Sequence, residues 1–147
     1  MTRIEMEAER VKIRLPELAD ALQQTDVRRG YVDLGTGRIV SLAGEMDEEE
    51  TMEHIFSVEE DWERYVMLPD ISEEEEKNAM RRFAELQQEP EIRERMRAAL
   101  SGVRSRARFR RLVEEFHLRG KWKSFLRLHF LSVAREWCGE NGIVYEN

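Results

Sequence analysis

The chain has 147 residues, of which 41% are hydrophobic and 37% charged, with a formal net charge of -7. That is a natural size for one domain with its own core, and the excess of acid weighs against a generic nucleic-acid binder. The single cysteine, Cys138, rules out an internal disulfide, and no apolar run approaches signal-peptide or bilayer-spanning length.

Few prolines and glycines among many Glu, Arg, Leu and Ala favour helix. Val11, Ile13 and Leu15 alternate with Lys12 and Arg14 as in a short strand, and Pro16 suits the first position of a helix carrying Leu18, Ala19 and Leu22. Tyr31 to Leu34 and Arg38 to Leu42 flank Gly35-Thr36-Gly37, a β-hairpin signal. Gly37 can take the positive φ of the turn there, and Asp33 or Thr36 can accept from turn amides. The strand near Val11 is expected to join this hairpin, since two strands alone are marginal in water.

Gly44 to Glu53 reads as loop or frayed helix. Ser57-Val58-Glu59-Glu60 has capping-box spacing and predicts a short helix carrying Trp62, Tyr65 and Val66, stopped by Leu68-Pro69. Ser72 repeats the cap before a helix with Met80, Phe83 and Ala84 inside. Pro90 opens another, with Gly102 as its stop. Ser105 is expected to cap a helix with the stripe Phe109, Leu112, Val113 and Phe116. A last helix from Lys121 to Glu140 carries Trp122, Phe125, His129, Val133 and Trp137 on one face, and Ile143 to Tyr145 reads as a closing strand. These elements predict an α+β fold in which a small N-terminal antiparallel β-hairpin or sheet packs with a mostly helical C-terminal portion. A single domain spans 1–147, with a division near 67–70 as the alternative.

The charges are strongly segregated. From Glu45 to Glu76 acids dominate against Arg64 alone, and from Arg93 to Arg135 bases dominate. Such a split implies either an internal packing of acid on base or a separate anionic partner.

Three stretches resemble a known family. Tyr31-Val32-Asp33-Leu34-Gly35-Thr36-Gly37 is similar to its hydrophobic-Asp-x-x-Thr-Gly turn, and Tyr65-Val66-Met67-Leu68-Pro69 to its Tyr-hydrophobic-x-hydrophobic-Pro step. Arg108-Phe109-Arg110-Arg111-Leu112, Trp122-Lys123-Ser124-Phe125 and Glu136 to Ile143 resemble its C-terminal signature. The family is Uncharacterised Protein Family 0158, and the resemblance runs from Leu18 to Tyr145. Ser105-Arg106-Ala107 departs from it, where a glycine-led approach is expected. The resemblance implies a conserved bacterial domain of this size and supplies no reaction, cofactor or catalytic residue.

The strongest candidate site is therefore the arginine set. On a helix Arg104, Arg108 and Arg111, spaced i, i+4, i+7, form one ridge, and Arg106 and Arg110 a second nearer the apolar stripe. Displayed guanidinium groups can grip successive phosphates or an acidic protein surface. The competing reading is a solvated face on which Glu114 and Glu115 pair with Arg110 and Arg111 and Glu73 to Glu76 neutralise the rest. His117 follows Glu114 at Glu-x-x-His spacing, but a di-metal bundle needs two such motifs, so no metal site is expected. His129 reads as a core histidine with satisfied hydrogen bonds. Cys138 reads as structural, its thiolate suppressed by Glu136 and Glu140. The aromatic set on the last helix is core, unless Leu128 and Leu131 stay exposed and make it a partner surface. The expectation is a non-enzymatic cytoplasmic binding or regulatory module with no cofactor, no catalytic residue and no membrane contact. An acidic protein, a nucleic acid or a second copy would be its partner. The alternatives are RNA or DNA association through the five arginines, and an enzyme with a site around His117 and Glu114.

Overall fold

A computed structural model describes residues 11–24, 30–41 and 48–147. Among these the order is β1 (Ile13–Arg14), α1 (Leu15–Gln23), β2 (Gly30–Asp33), β3 (Arg38–Ser41), α2 (Glu48–Glu60), β4 (Tyr65–Met67), α3 (Ser72–Glu85), α4 (Pro90–Leu100), α5 (Ser105–Glu115), α6 (Arg119–Glu140) and β5 (Tyr145–Glu146). The fold is α+β with a helical bulk. It divides into two compact units, Met1–Asp70 with Leu131–Asn147, and Ile71–Phe130.

The first unit holds both sheets. The hairpin forms as expected: β2 and β3 pair antiparallel in the register Tyr31↔Val40 and Val32↔Ile39, and Gly37 takes φ 75° in the turn. Asp33 Oδ1 accepts from the Gly35 amide at 2.9 Å and Thr36 Oγ1 from the Arg38 amide at 3.3 Å. The third strand is β4, antiparallel to β2 with Val32↔Val66, so β2 is central and buries all four of its residues. The strand near Val11 goes elsewhere. β1 pairs parallel with β5, Ile13 opposite Tyr145, which supplies the closing strand expected near the C-terminus. Pro16 sits in the first turn of α1, whose buried residues Leu15, Leu18, Ala19 and Leu22 follow the helical i, i+3, i+4, i+7 spacing.

The capping box at Ser57 does not open a helix. Ser57 lies inside α2, where its Oγ donates to the Glu53 carbonyl one turn back, and Tyr65–Met67 is strand rather than helix. Of the stretch Gly44 to Glu53, read as loop or frayed helix, residues 48–53 are helix, and residues 44–47 lie outside the described ones.

The second unit is a helical cluster. Phe83 of α3, Phe109 of α5 and Trp122 of α6 meet edge to face at centroid distances of 4.9 to 6.1 Å, with Met80, Met96 and Val113 buried around them. Pro90 starts α4 as predicted. The other boundary signals act differently. Ser72 makes no capping bond: its Oγ is buried and has no hydrogen-bond partner among the described residues. Ser105 is not the cap of α5 either, because Arg104 takes the N-cap place in the left-handed region at φ 56°. Gly102 has no positive φ, and the one close neighbour of a Cβ there, at 2.8 Å, would be Arg108 Nη1, the end of an exposed side chain that can shift aside.

Both long C-terminal stops are Schellman turns. After α5, His117 takes φ 56°, its amide bonds the Glu114 carbonyl, and Leu118 N–H bonds the Val113 carbonyl at 2.8 Å. The sequence predicts a break at Gly120; it falls instead at His117, and Gly120 lies within the first turn of α6. After α6, Gly142 takes φ 64° and Ile143 N–H bonds the Cys138 carbonyl at 2.8 Å. That bond explains the Cys138 to Ile143 part of the C-terminal signature physically: a left-handed residue ends the helix and the next side chain, Ile143, is buried.

Candidate functional site

The arginine site is organised by one buried acid. Glu76 of α3 is 6% exposed, and its carboxylate accepts from Arg106 through Nε and Nη2 at 3.2 and 3.0 Å and from Arg110 Nη2 at 2.9 Å. Glu73 adds a long contact of 3.9 Å to Arg106. The two residues of the inner ridge, one helical turn apart, therefore close on a single carboxylate supplied by the acidic stretch. Packing of acid on base, one of the two readings of the charge split, occurs here within one unit.

The outer ridge is arranged differently. Arg104 stands at the N-cap rather than within the helix, Arg108 lies in the first turn with its guanidinium over Gly102, and Arg111 follows one turn on. All three are exposed, and none forms an ion pair or hydrogen bond through its side chain among the described residues. Neither Glu114 nor Glu115 neutralises this ridge. Glu115 instead takes a two-point pair with Arg95 of α4 at 3.0 Å, while the Arg95 guanidinium also lies 5.1 Å over the Phe116 ring. The first turn of α5 holds no acid. Positive charges thus gather at the positive end of a helix dipole, an arrangement that an anion relieves.

Two further groups in this unit, Arg97 and His129, are closed by partners. Arg97 binds Glu85 through two bonds of 2.7 and 2.6 Å and also reaches Glu94 at 2.8 Å; these acids raise its pKa, and the guanidinium lowers that of Glu85. His129 is buried. Arg82 Nη1 donates to its Nδ1 at 2.9 Å, so Nδ1 is the acceptor and Nε2 carries the proton towards Glu75 Oε1 at 3.3 Å. Both ring nitrogens are occupied, as a core histidine requires.

The Glu-x-x-His spacing of Glu114 and His117 has a backbone explanation. His117 is the left-handed residue that ends α5 and is exposed. Among the described residues no group of three or more His, Cys, Asp or Glu is placed to hold a metal ion. Cys138 is fully buried, and burial pushes its thiol up to about 11; desolvation, rather than the neighbouring glutamates, is the cause. Leu128 on α6 is exposed while Leu131 is half-buried, so the outward apolar flank of that helix is a single leucine.

One structured charge pair was not foreseen. Arg64, the lone base of the acidic stretch, binds Asp33 through Nε at 2.7 Å and Nη2 at 2.9 Å and lies 5.3 Å over the Tyr65 ring. The Asp33 carboxylate is thereby tied to β4, to the hairpin turn and to Gly35 at once. The Arg64 guanidinium holds the Asp33 carboxyl below the usual carboxylate range. Gly35 is required by this clasp, since a Cβ there would lie 2.7 Å from Arg64 Nε.

These features define an α+β chain with a clasped β-hairpin and a helical unit bearing one closed and one open arginine ridge. The chain belongs to the uncharacterised protein family UPF0158, whose pattern matches residues 9–146. No curated protein and no solved structure matches it. No helix among the described residues is long and apolar enough to cross a membrane.

Proposed function

We propose that this chain is a non-enzymatic binding or regulatory module of the bacterial cytosol, acting through its charged surfaces. The arginines at and beyond the N-terminus of α5 form its recognition face. The observation that carries the reading is the split of the arginine set: Arg106 and Arg110 are engaged by Glu76, whereas Arg104, Arg108 and Arg111 are exposed without a carboxylate among the described residues. Guanidinium groups displayed at the N-cap and along the first turns of a short helix offer paired donors to carboxylates.

An acidic stretch of a protein partner fits this face better than a nucleic acid does. Single-stranded nucleic acids are held by aromatic rings interleaved with cations, and the nearby rings, Phe109 and Trp122, are in the core. The net charge of -7 also repels a long polyanion. Affinity capture from a bacterial lysate, with and without nuclease, tests the reading against an Arg104→Glu/Arg108→Glu/Arg111→Glu variant. A protein retained after nuclease, released by salt and lost with the variant supports it. Capture that nuclease abolishes replaces it with RNA or DNA association, and identical capture by the variant removes the ridge from the account.

A further inference from the structure

The unit that holds both sheets carries a face of the opposite sign to the arginine ridge. Between Glu48 and Glu63 the chain has eight carboxylates and no Lys or Arg, and all eight are exposed. α2 sets most of them around an apolar row. Met52 and Phe56 lie one turn apart on it and are 46% and 55% exposed, large apolar side chains turned to water. At the pitch of an α-helix, Glu49, Glu53 and Glu60 fall on one side of that row and Glu48 and Glu59 on the other. Trp62, in the turn that follows α2, is 71% exposed.

The first base after this stretch, Arg64, turns away from it. Its guanidinium grips Asp33 in the clasp, and its carbonyl accepts from the Leu34 amide at 2.8 Å. The Asp61 amide bonds the Ser57 carbonyl at 3.1 Å, and the Arg64 amide bonds the Asp61 carbonyl at 3.0 Å. The end of α2 and the turn carrying Trp62 are thereby moored to the β-hairpin, so a partner meets a backbone that is already ordered. The glutamates beside the apolar row, Glu49, Glu53, Glu59 and Glu60, form no ion pair among the described residues. A basic residue near the row is used to fix its position and leaves its border acidic.

We infer that this face binds a basic amphipathic segment of a protein partner, whose apolar side chains cover Met52, Phe56 and Trp62 while its lysines or arginines meet the flanking glutamates. Charge complementarity selects this occupant. An acid border on both sides repels nucleic acids and anionic lipid surfaces, and a simple cation would leave the apolar row in water. A neutral apolar partner would strip water from the carboxylates without supplying a counter-charge. A segment that carries base and apolar bulk together satisfies the row and its border at once. The aromatic anchors then supply affinity, and the rim supplies orientation and salt dependence. All of these residues belong to the unit Met1–Asp70 with Leu131–Asn147 and none to the arginine ridge, so the inference does not rest on the function proposed above.

Fluorescence anisotropy of the full chain with a short labelled peptide of Leu and Lys at helical spacing, beside oligolysine of equal charge, tests the inference at low and high salt. Expected is salt-sensitive binding of the Leu–Lys peptide, about tenfold or more tighter than that of oligolysine. Phe56→Ser/Trp62→Ser should remove this advantage and leave oligolysine binding unchanged. Glu59→Gln/Glu60→Gln should weaken the Leu–Lys peptide about threefold or more at low salt. Glu136→Gln/Glu140→Gln, an equal change of charge at exposed positions of α6, should leave it within about twofold. Every substitution is at an exposed position, and circular dichroism confirms that each variant is folded. A Leu–Lys peptide that fails to bind or binds no tighter than oligolysine, a Phe56→Ser/Trp62→Ser variant that binds like the parent, or equal losses in the two glutamine variants overturns it. Self-association of the chain in sedimentation that Phe56→Ser/Trp62→Ser abolishes also overturns it, by assigning the face to a second copy.

Discussion

Replacing Glu76 by Gln should act in opposite directions on stability and on binding, and that pairing is diagnostic of a buried acid that holds two arginines closed. The carboxylate is nearly inaccessible, and three charge-assisted bonds converge on it. Hydrogen bonds to a charged group contribute about 1.5 to 3 kcal/mol each when both partners are dry. Here the Arg110 side chain is 59% exposed and that of Arg106 32%, so water replaces much of what is lost. We therefore expect a loss of about 2 kcal/mol, or about 6 °C in Tm for a chain of this size. The glutamine leaves both guanidinium groups without their acid. They then join Arg104, Arg108 and Arg111, and affinity for an anionic probe such as labelled oligoglutamate should rise about threefold or more at low salt. Thermal melts and fluorescence anisotropy on the same preparations read both quantities. A melting point within about 1 °C of the parent would refute the stability reasoning. A destabilised variant with unchanged or weaker probe binding would show that Glu76 does not restrain the ridge.

Three further outcomes follow from the geometry. Asp33 has a folded pKa below its unfolded one, so its contribution to stability is present above the unfolded carboxylate value and is lost as pH falls through the folded value. Asp33→Asn should therefore be less stable at neutral pH and lose less stability than the parent on acidification, as urea melts across acidic pH would record; parallel pH profiles would contradict the clasp. His117 holds a left-handed conformation that costs a non-glycine residue about 1 kcal/mol, so His117→Gly should raise stability by about that amount, measured by urea denaturation, and a loss would argue for a side-chain role. Cys138, buried with its thiol near 11, should react with a thiol reagent at mildly alkaline pH far more slowly than in the urea-unfolded chain, and equal rates would mean that it is accessible.

Local chemistry was legible in the sequence where one short segment decides the structure. The Gly35-Thr36-Gly37 turn, the start of α4 at Pro90 and the apolar stripe of α5 each follow from neighbouring residues alone. The elements that were misread depend on distant partners. Tyr65–Met67 is strand because β2 offers it hydrogen bonds, and three residues are too few to show a period. Ser57 and Ser72 carry capping spacing, yet one lies in a helix interior and the other is buried. The arginine set itself was visible as a spacing. The stretch Glu73 to Glu76 was visible as a source of neutralising acid, but which arginines it closes was not, because Glu76 lies thirty residues before Arg106. The Asp33–Arg64 clasp had a usable signal in retrospect: a single base in a long acidic stretch has a reason to be there.

On the proposed function the open ridge, and not positive charge in general, is the recognition face. Its most direct test is oligoglutamate binding at low and high salt, comparing Arg108→Glu/Arg111→Glu with Arg95→Glu/Arg97→Glu, an equal change of charge at residues already paired with Glu115, Glu85 and Glu94. The account predicts salt-sensitive binding that the first pair of substitutions abolishes and the second leaves within about twofold. Equal losses in both variants, or no binding by the parent at low salt, would contradict it.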